Sequence, residues 1–150
     1  MTLAGSILTT LRDNWSLTGL AARDNIHFSE KEWYDADVQM KPQVTVTPYS
    51  DIPYQGILDS GHSYARFAVN VWVPLATGNV GSDEVQQAED MRYEVPRIIR
   101  LKKRDIAEFK PILPQDNGIP RHNIPTGNMP SKPPYCLRYE IMLIGAHDIS

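Results

Sequence analysis

The sequence contains a single cysteine, Cys136, among its 150 residues. One cysteine cannot form a disulfide within the chain, so nothing in the sequence indicates an oxidising compartment. Long apolar runs are also absent, because no stretch approaches the ~20 residues that a membrane-spanning helix requires. Residues 1–10 lack the basic start and the apolar run of a signal peptide. We therefore expect a protein that is made and used in the cytosol and has no contact with a membrane.

Recognisable catalytic and ligand-binding motifs are absent as well. The four histidines are scattered, and neither H-E-x-x-H nor C-x-x-C spacing occurs. There is no glycine-rich phosphate loop and no G-x-S-x-G turn. The sequence thus predicts no catalytic residue, no metal, no cofactor and no enzymatic activity. One alternative stays open: the fold could bring a histidine to Cys136, and such a nucleophile would react rapidly with alkylating reagents near neutral pH.

Charge of either sign is not in strong excess, since 15 basic and 18 acidic residues give a formal net charge of -3. The total charge therefore gives no reason to expect nucleic-acid binding. One dense basic run, Arg97–Arg104, could nevertheless contact phosphates, which would make the chain a nucleic-acid-binding module. The same run is also typical of a solvated helix end, where basic residues complement the helix dipole. The interleaved Ile98 and Ile99 favour the second interpretation.

What the sequence does contain is alternation. Residues 62–74 place apolar side chains at every second position, which predicts a long half-buried strand within one domain. The other side of this strand carries Tyr64, Arg66 and Trp72, which are residue types favoured at protein interfaces. Pro74 marks its end or an edge of the sheet.

Three further strands are predicted around it. Residues 42–48 alternate between prolines, and a turn-rich connection over 51–61 joins them to the long strand, which indicates an antiparallel pair. Residues 26–28 form a short strand. Residues 135–147 form the last strand, and its second side also becomes apolar, which predicts a central position or contact with another subunit.

Two helices complete the predicted elements. Residues 3–14 carry an apolar stripe through Ile7 and Leu11, and a longer amphipathic helix follows Ser82, a residue suited to an N-cap. Pro96 should kink or split this second helix near residues 94–95, because proline removes one backbone hydrogen bond.

Seven of the twelve prolines fall within residues 111–134, where no periodicity is visible. This segment predicts a long loop or arm, either ordered by a neighbouring subunit or merely flexible. We expect residues 51–61 and 111–134 to form subunit or partner contacts.

The order of these elements, with the strands Pro42-Gln-Val-Thr-Val-Thr47 and Arg138-Tyr-Glu-Ile-Met-Leu143, resembles the tail terminator or tail-completion proteins of tailed viruses. The resemblance implies a small α+β domain that assembles into a ring, usually sixfold, and caps the tail tube at the neck. It implies contacts with the tail tube protein and the head–tail connector, and it supplies no catalytic residues. The chain departs from this family in its proline-rich segment.

These observations predict an α+β fold, with a mostly antiparallel sheet of about four strands packed against two helices and a long proline-rich loop. The predicted function is that of a virion structural protein in the tail or neck, assembled in the host cytoplasm as a homo-oligomeric, by resemblance hexameric, ring. The alternative is the nucleic-acid-binding module of residues 97–104, with possible DNA contact. The candidate partner contacts are Tyr49, Tyr54, Tyr64, Arg66, Trp72, Arg100, Lys102, Lys103 and Arg121.

Overall fold

A computed structural model describes residues 2–31, 34, 38, 41–53, 62–75, 82–107, 109–115, 119–125 and 135–148. The two helices are α1 (Leu3–Asp13) and α2 (Ser82–Lys102), and short 3-10 turns occupy Gly19–Ala21 and Arg23–Asn25. The strands, in chain order, are β1 (His27–Ser29), β2 (Gln43–Pro53), β3 (His62–Leu75), β4 (Phe109–Pro114), β5 (Ile119–Pro125) and β6 (Tyr135–Asp148).

The six strands of the described residues form one mixed sheet. Its order is β1-β2-β3-β6, and the side of β6 that does not pair with β3 pairs with both β4 and β5. Only β1 runs parallel to its neighbour, β2, and all other pairs are antiparallel. The predicted α+β class, with two helices and a mostly antiparallel sheet, is confirmed. The predicted number of about four strands is too low.

The additional strands come partly from the proline-rich segment. Pro111 and Pro114 lie in β4, and Pro120 and Pro125 lie in β5. Both strands sit at the edge of the sheet, where a residue that cannot donate a backbone hydrogen bond is tolerated. The prediction of a long loop or arm over 111–134 is therefore wrong for the residues of β4 and β5, while residues 116–118 and 126–134 lie outside the described part.

The three long strands confirm the alternation. In β3, Val69 pairs with Val46 of β2 on one side and with Ile141 of β6 on the other. All three side chains are buried on the side of the sheet that faces the helices. The helices contribute Ile7 and Leu11 from α1 and Met91, Val95, Ile98 and Ile99 from α2 to the same core. Strand β6 is central, as its sequence predicts.

The start of α1 is explained by a side-chain cap, and the continuity of α2 by its packing against the sheet. Thr2 caps α1, because its Oγ1 accepts a hydrogen bond of 2.9 Å from the backbone N–H of Gly5. Helix α2 runs unbroken through Pro96, so the predicted split does not occur. Proline costs the helix one backbone hydrogen bond, but Val95, Ile98 and Ile99 are buried on either side of it and keep the helix against the sheet.

Gly145 of β6 allows β4 to pack closely. A Cβ atom at this position would lie 2.4 Å from Cδ1 of Phe109, which is nearer than two carbon atoms can approach. The ring of Phe109 packs edge-on against that of Phe67, with 5.7 Å between the ring centres. Neither helix in the described part of the chain is both long and apolar enough to cross a bilayer.

Candidate functional site

The outer edge of β2 is only partly covered by another strand. β1 pairs with residues Gln43–Thr45, and beyond Thr45 no described strand pairs with this edge. A hollow of about 550 Å³ lies beside it, between β2, the beginning of α1 and the end of β1. Its lining residues are Thr2, Leu3, Ala4, Glu30, Pro48, Tyr49, Ala65, Arg66 and Phe67. The unpaired edge and the hollow together form an uncompleted surface of the described part of the subunit.

A β-bulge places Tyr49 at this surface. Pro48 pairs with Phe67 and Ser50 with Arg66, so Tyr49 has no opposite residue in β3. A bulged residue leaves the ladder and is redirected relative to its neighbours. The side chain of Tyr49 is 65% exposed, which is unusual for a large aromatic residue in a strand. The sequence carries a signal for this bulge, since proline inside a strand is found at edges and bulges.

Arg66 contributes an unsatisfied donor to the same hollow. Its side chain is half-buried, and its Nε is buried without a hydrogen-bond acceptor among the described residues. A buried donor without a partner costs about 1–3 kcal/mol. The carboxylate of Glu30, which also lines the hollow, already accepts a hydrogen bond from Thr2 Oγ1.

Trp72 lies inside the subunit, contrary to its prediction as a partner contact. The side chain is only 1% exposed, and its Nε1 donates a hydrogen bond of 2.9 Å to Thr45 Oγ1. The ring of Tyr34 packs edge-on against it, and the guanidinium of Arg138 lies 4.7 Å from its centre. Alternation identifies the side of the sheet on which Trp72 lies, but not the residues that cover that side.

Polar groups continue this buried layer along the outer side of the sheet. Arg138 Nε donates to Asn70 Oδ1 at 2.8 Å, and Arg138 Nη2 lies 3.2 Å from Glu140 Oε2. Thr45 and Asn70 are themselves buried. The part of this side around Trp72 is therefore internal structure and not a partner surface.

Cys136 belongs to the same cluster as Tyr34 and Trp72. Burial raises the pKa of its thiol to about 12, so the thiol is protonated near neutral pH. A nucleophilic cysteine needs a lowered pKa and access to solvent, and this environment supplies neither. Within the described ranges, no group of three or more His, Cys, Asp or Glu residues is placed to hold a metal ion.

Arg97, the first residue of the basic run, makes its contacts within the subunit. Arg97 Nε donates to the buried Glu94 Oε1 at 2.5 Å, and Arg97 Nη2 donates to Asn14 O and Ser16 Oγ at 3.2 Å. Glu94 also accepts hydrogen bonds from Ser16 N and Oγ at 2.6 and 2.8 Å. Burial raises the pKa of Glu94, but the bonds from Arg97 and Ser16 together outweigh it and leave this pKa below its ordinary value. Arg97 thus joins α2 to the end of α1.

The remaining candidate contacts are distributed over the molecule. Arg100 and Lys103 are exposed at the end of α2, and Lys102 is partly exposed. The backbone of Tyr64 lies in β3 opposite Ile52 and Ala146, and that of Arg121 lies in β5 opposite Arg138. Tyr54 is outside the described residues, as are residues 55–61 of the predicted contact loop, whereas residues 51–53 belong to β2. Of the nine candidates, the structure brings Tyr49 and Arg66 together at one surface.

One feature of these surfaces is not evident from the sequence. Ser16 donates to the buried carboxylate of Glu94, although the two residues are distant in sequence, and no local pattern marks this contact. No protein family model matches this chain, and a search of curated proteins finds no match to it. The geometry of the described residues is therefore the basis for any functional conclusion.

Proposed function

We propose that the protein is a virion structural protein of a tailed virus, a tail terminator or neck-region ring subunit. It acts through protein–protein contacts, capping the tail tube and joining it to the head connector. The observation that supports this best is the open outer edge of β2 beside the hollow, where Tyr49 is exposed and Arg66 Nε has no acceptor within the described part of the chain.

The two edges of the sheet differ in a way that suits a ring. An open strand edge exposes backbone donors and acceptors that another chain can pair with, and proteins usually blunt such edges with proline or charge. The β4/β5 edge carries four prolines. The open part of β2 has two, Pro48 and Pro53, and keeps backbone N–H groups at the residues between them. A cyclic ring joins two different surfaces of adjacent copies, so one receptive edge per subunit is sufficient.

The side chains at the open edge are of the kinds that dominate binding energy at interfaces. Tyrosine and arginine are enriched among residues whose truncation costs about 2 kcal/mol or more of binding free energy. Tyr49 and Arg66 line the same hollow, and Leu3, Ala4 and Phe67 provide apolar surface around them. A neighbouring subunit placed in the hollow would cover the Tyr49 ring and lie against the side chain of Arg66.

The test is genetic complementation in the virus that encodes the protein, with tails examined by negative-stain electron microscopy. Disruption of the gene should yield tails that lack a terminal ring and do not join heads. The wild-type gene should restore joining, and Tyr49→Glu should not, because a charge would be placed in the contact. Arg12→Glu is the matched control, since it also introduces a carboxylate at an exposed site, near the end of α1 that does not line the hollow.

Two results would count against the proposal. Normal tails joined to heads in the absence of the gene would exclude a role at the tail end. Full restoration by Tyr49→Glu, with the protein folded and present in virions, would exclude the β2 edge as the ring contact.

A further inference from the structure

Helix α2 presents a second surface that the proposed function does not use. Along its exposed side, seven residues are spaced alternately three and four positions apart, so they lie in one row along the helix. They are Asp83, Gln86, Asp90, Tyr93, Arg97, Arg100 and Arg104, and each is exposed. Arg104 lies just past the helix end at Lys102. We call this row the α2 stripe.

Charge along the α2 stripe changes sign at its centre. The first half carries Asp83 and Asp90, the second half carries Arg97, Arg100 and Arg104, and Tyr93 lies between the halves with 55% of its surface exposed. A second copy of the helix, related to the first by a twofold axis that passes beside Tyr93 and is perpendicular to the helix, would place an arginine opposite each aspartate. Asp90 would face Arg97 of the second copy, and Asp83 would face Arg104 of the second copy. A parallel arrangement would instead oppose like charges.

We propose that the α2 stripe is a self-association surface, on which the α2 helix of a second copy packs in the antiparallel orientation. The contact is isologous, meaning that the same residues contribute from both copies about a twofold axis. Opposite charges then select both the partner and the orientation, which is the usual role of charged residues between paired helices.

Apolar side chains beside the stripe fit the same arrangement. Leu101 is 62% exposed beside the basic half, and Leu20 is equally exposed beside the acidic half. A hollow of about 190 Å³ lies next to Leu20, lined also by Thr18, Ala21, Asp83, Gln86, Gln87 and Asp90. Gln87 Nε2 fixes one wall by donating a hydrogen bond of 2.7 Å to Leu20 O. In the antiparallel pair, Leu101 of the second copy comes opposite Gln86, at the mouth of this hollow.

The helix dipole alone does not account for this surface. It favours acidic residues in the first turn and basic residues in the last, which explains the order of the charges. It gives no reason for exposed apolar side chains, yet α2 carries three of the six large apolar residues that are exposed in the described chain: Val85, Tyr93 and Leu101. Burial of Tyr93 and Leu101 against a second copy supplies the reason for these two, whereas Val85 lies off the α2 stripe.

The inference is independent of the proposed ring. The ring contact would use the edge of β2, whereas self-association would use α2, and the two surfaces share no residue. A result that contradicts one proposal therefore does not contradict the other. An α2 contact could hold two free subunits together or join two rings face to face.

Sedimentation velocity of the full chain tests the proposal. At about 50 mM salt, where charges are weakly screened, the wild type should form a dimer whose fraction rises with concentration. The double variant Arg100→Glu, Arg104→Glu and the double variant Asp83→Arg, Asp90→Arg should each dissociate at least about tenfold more readily, because attraction becomes repulsion. An equimolar mixture of the two variants should dimerise again. The matched control is Arg12→Glu, Arg23→Glu, which changes the net charge as much as the first double variant does, at exposed sites outside α2.

Cross-linking tests the orientation separately. A Tyr93→Cys variant places two thiols together at the twofold axis, so mild oxidation should give a disulfide-linked dimer. Val85→Cys is the matched control on the same helix, because in the antiparallel pair its two copies would lie about 24 Å apart along the axis. Circular dichroism establishes that each variant is folded before it is compared.

The proposal is overturned by a wild-type chain that stays monomeric at about 100 µM in low salt, where even a weak contact would be populated. It is also overturned if the mixed variants fail to associate, or if Val85→Cys cross-links as readily as Tyr93→Cys. Binding of duplex DNA by a monomeric wild type, abolished by Arg100→Glu with Arg104→Glu, would assign the basic half to phosphate contact instead.

Discussion

The two sides of the central sheet are buried in chemically different ways. The side that faces the helices is a continuous apolar core built on Val69, Ile141 and their neighbours. The outer side, around Trp72, is a small aromatic cluster bounded by a polar layer that includes Thr45, Asn70 and Arg138. Both sides exclude water here, but only the second depends on hydrogen bonds being satisfied. A polar pattern on one side of a strand therefore does not by itself indicate an exposed partner surface.

The largest expected effect concerns the reactivity of Cys136 on the outer side. Burial raises the pKa of its thiol from 9.0 to about 12, which lowers the thiolate fraction near neutral pH about a thousandfold. Iodoacetamide should therefore label the native protein far more slowly than the protein unfolded in urea. Rapid labelling of the native protein would show that the cluster is open and would revive a nucleophilic role for this residue.

The helix-facing side should be the most sensitive to truncation. Ile98→Ala leaves a cavity where the side chain is fully buried, and we expect the free energy of unfolding to fall by about 2–5 kcal/mol. Urea denaturation gives the measurement. Leu101→Ala, on the exposed side of the same helix, is the control and should change stability by less than about 0.5 kcal/mol. Equal effects at both positions would mean that α2 is not packed as described.

Removing the charge of Glu94 should weaken the link between the two helices. Glu94→Gln loses the charged hydrogen bonds to Arg97 and Ser16, and we expect a loss of about 1–3 kcal/mol. The pKa of Glu94 is lower in the folded protein than its ordinary 4.5. Its contribution is therefore present above the unfolded pKa and is lost as pH falls through the folded pKa. Denaturation between neutral and acid pH should show a smaller fall for the variant, and identical pH profiles would contradict the assignment.

The outer side can be tested through one hydrogen bond. Trp72→Phe removes the donor to Thr45, and Thr45→Val removes the acceptor. Thr45→Val leaves the buried indole N–H unsatisfied and should cost about 1–3 kcal/mol. The double variant should cost less than the sum of the two single variants, because neither partner is then left unsatisfied. Strict additivity in thermal or urea denaturation would show that this bond is not part of a buried layer.

The smallest effect on stability is expected at the proposed contact. Tyr49→Ala removes an exposed side chain from a bulge, so the free energy of unfolding should change by less than about 0.5 kcal/mol. The same substitution should reduce ring assembly in the complementation assay. A large loss of stability would mean that Tyr49 supports the fold of the subunit, and its exposure would then say little about a partner.

The spacing of apolar residues in the sequence is sufficient to predict the helices and strands in which that spacing is regular. The sequence shows the alternation of β3 and β6, the pairing of β2 with β3 and the apolar stripe of α1. In each case the residues that become buried recur at a fixed interval along the chain. The strands within the proline-rich segment were missed, because an edge strand pairs on one side only and tolerates prolines that disrupt a central strand. The continuity of α2 through Pro96 was missed because packing against the sheet outweighs the loss of one hydrogen bond.

The candidate contact residues are likewise predicted only in part from the sequence. Residue type marks Tyr49, Arg66 and Trp72 as suited to interfaces, and alternation places Arg66 and Trp72 on the same side of β3. Only the tertiary structure decides that Trp72 is covered by Tyr34, that Tyr49 leaves the ladder at a bulge, and that Arg66 Nε is buried without an acceptor among the described residues. The physical reason is that burial and hydrogen bonding depend on segments distant in the chain, whereas periodicity records only which neighbours share a side.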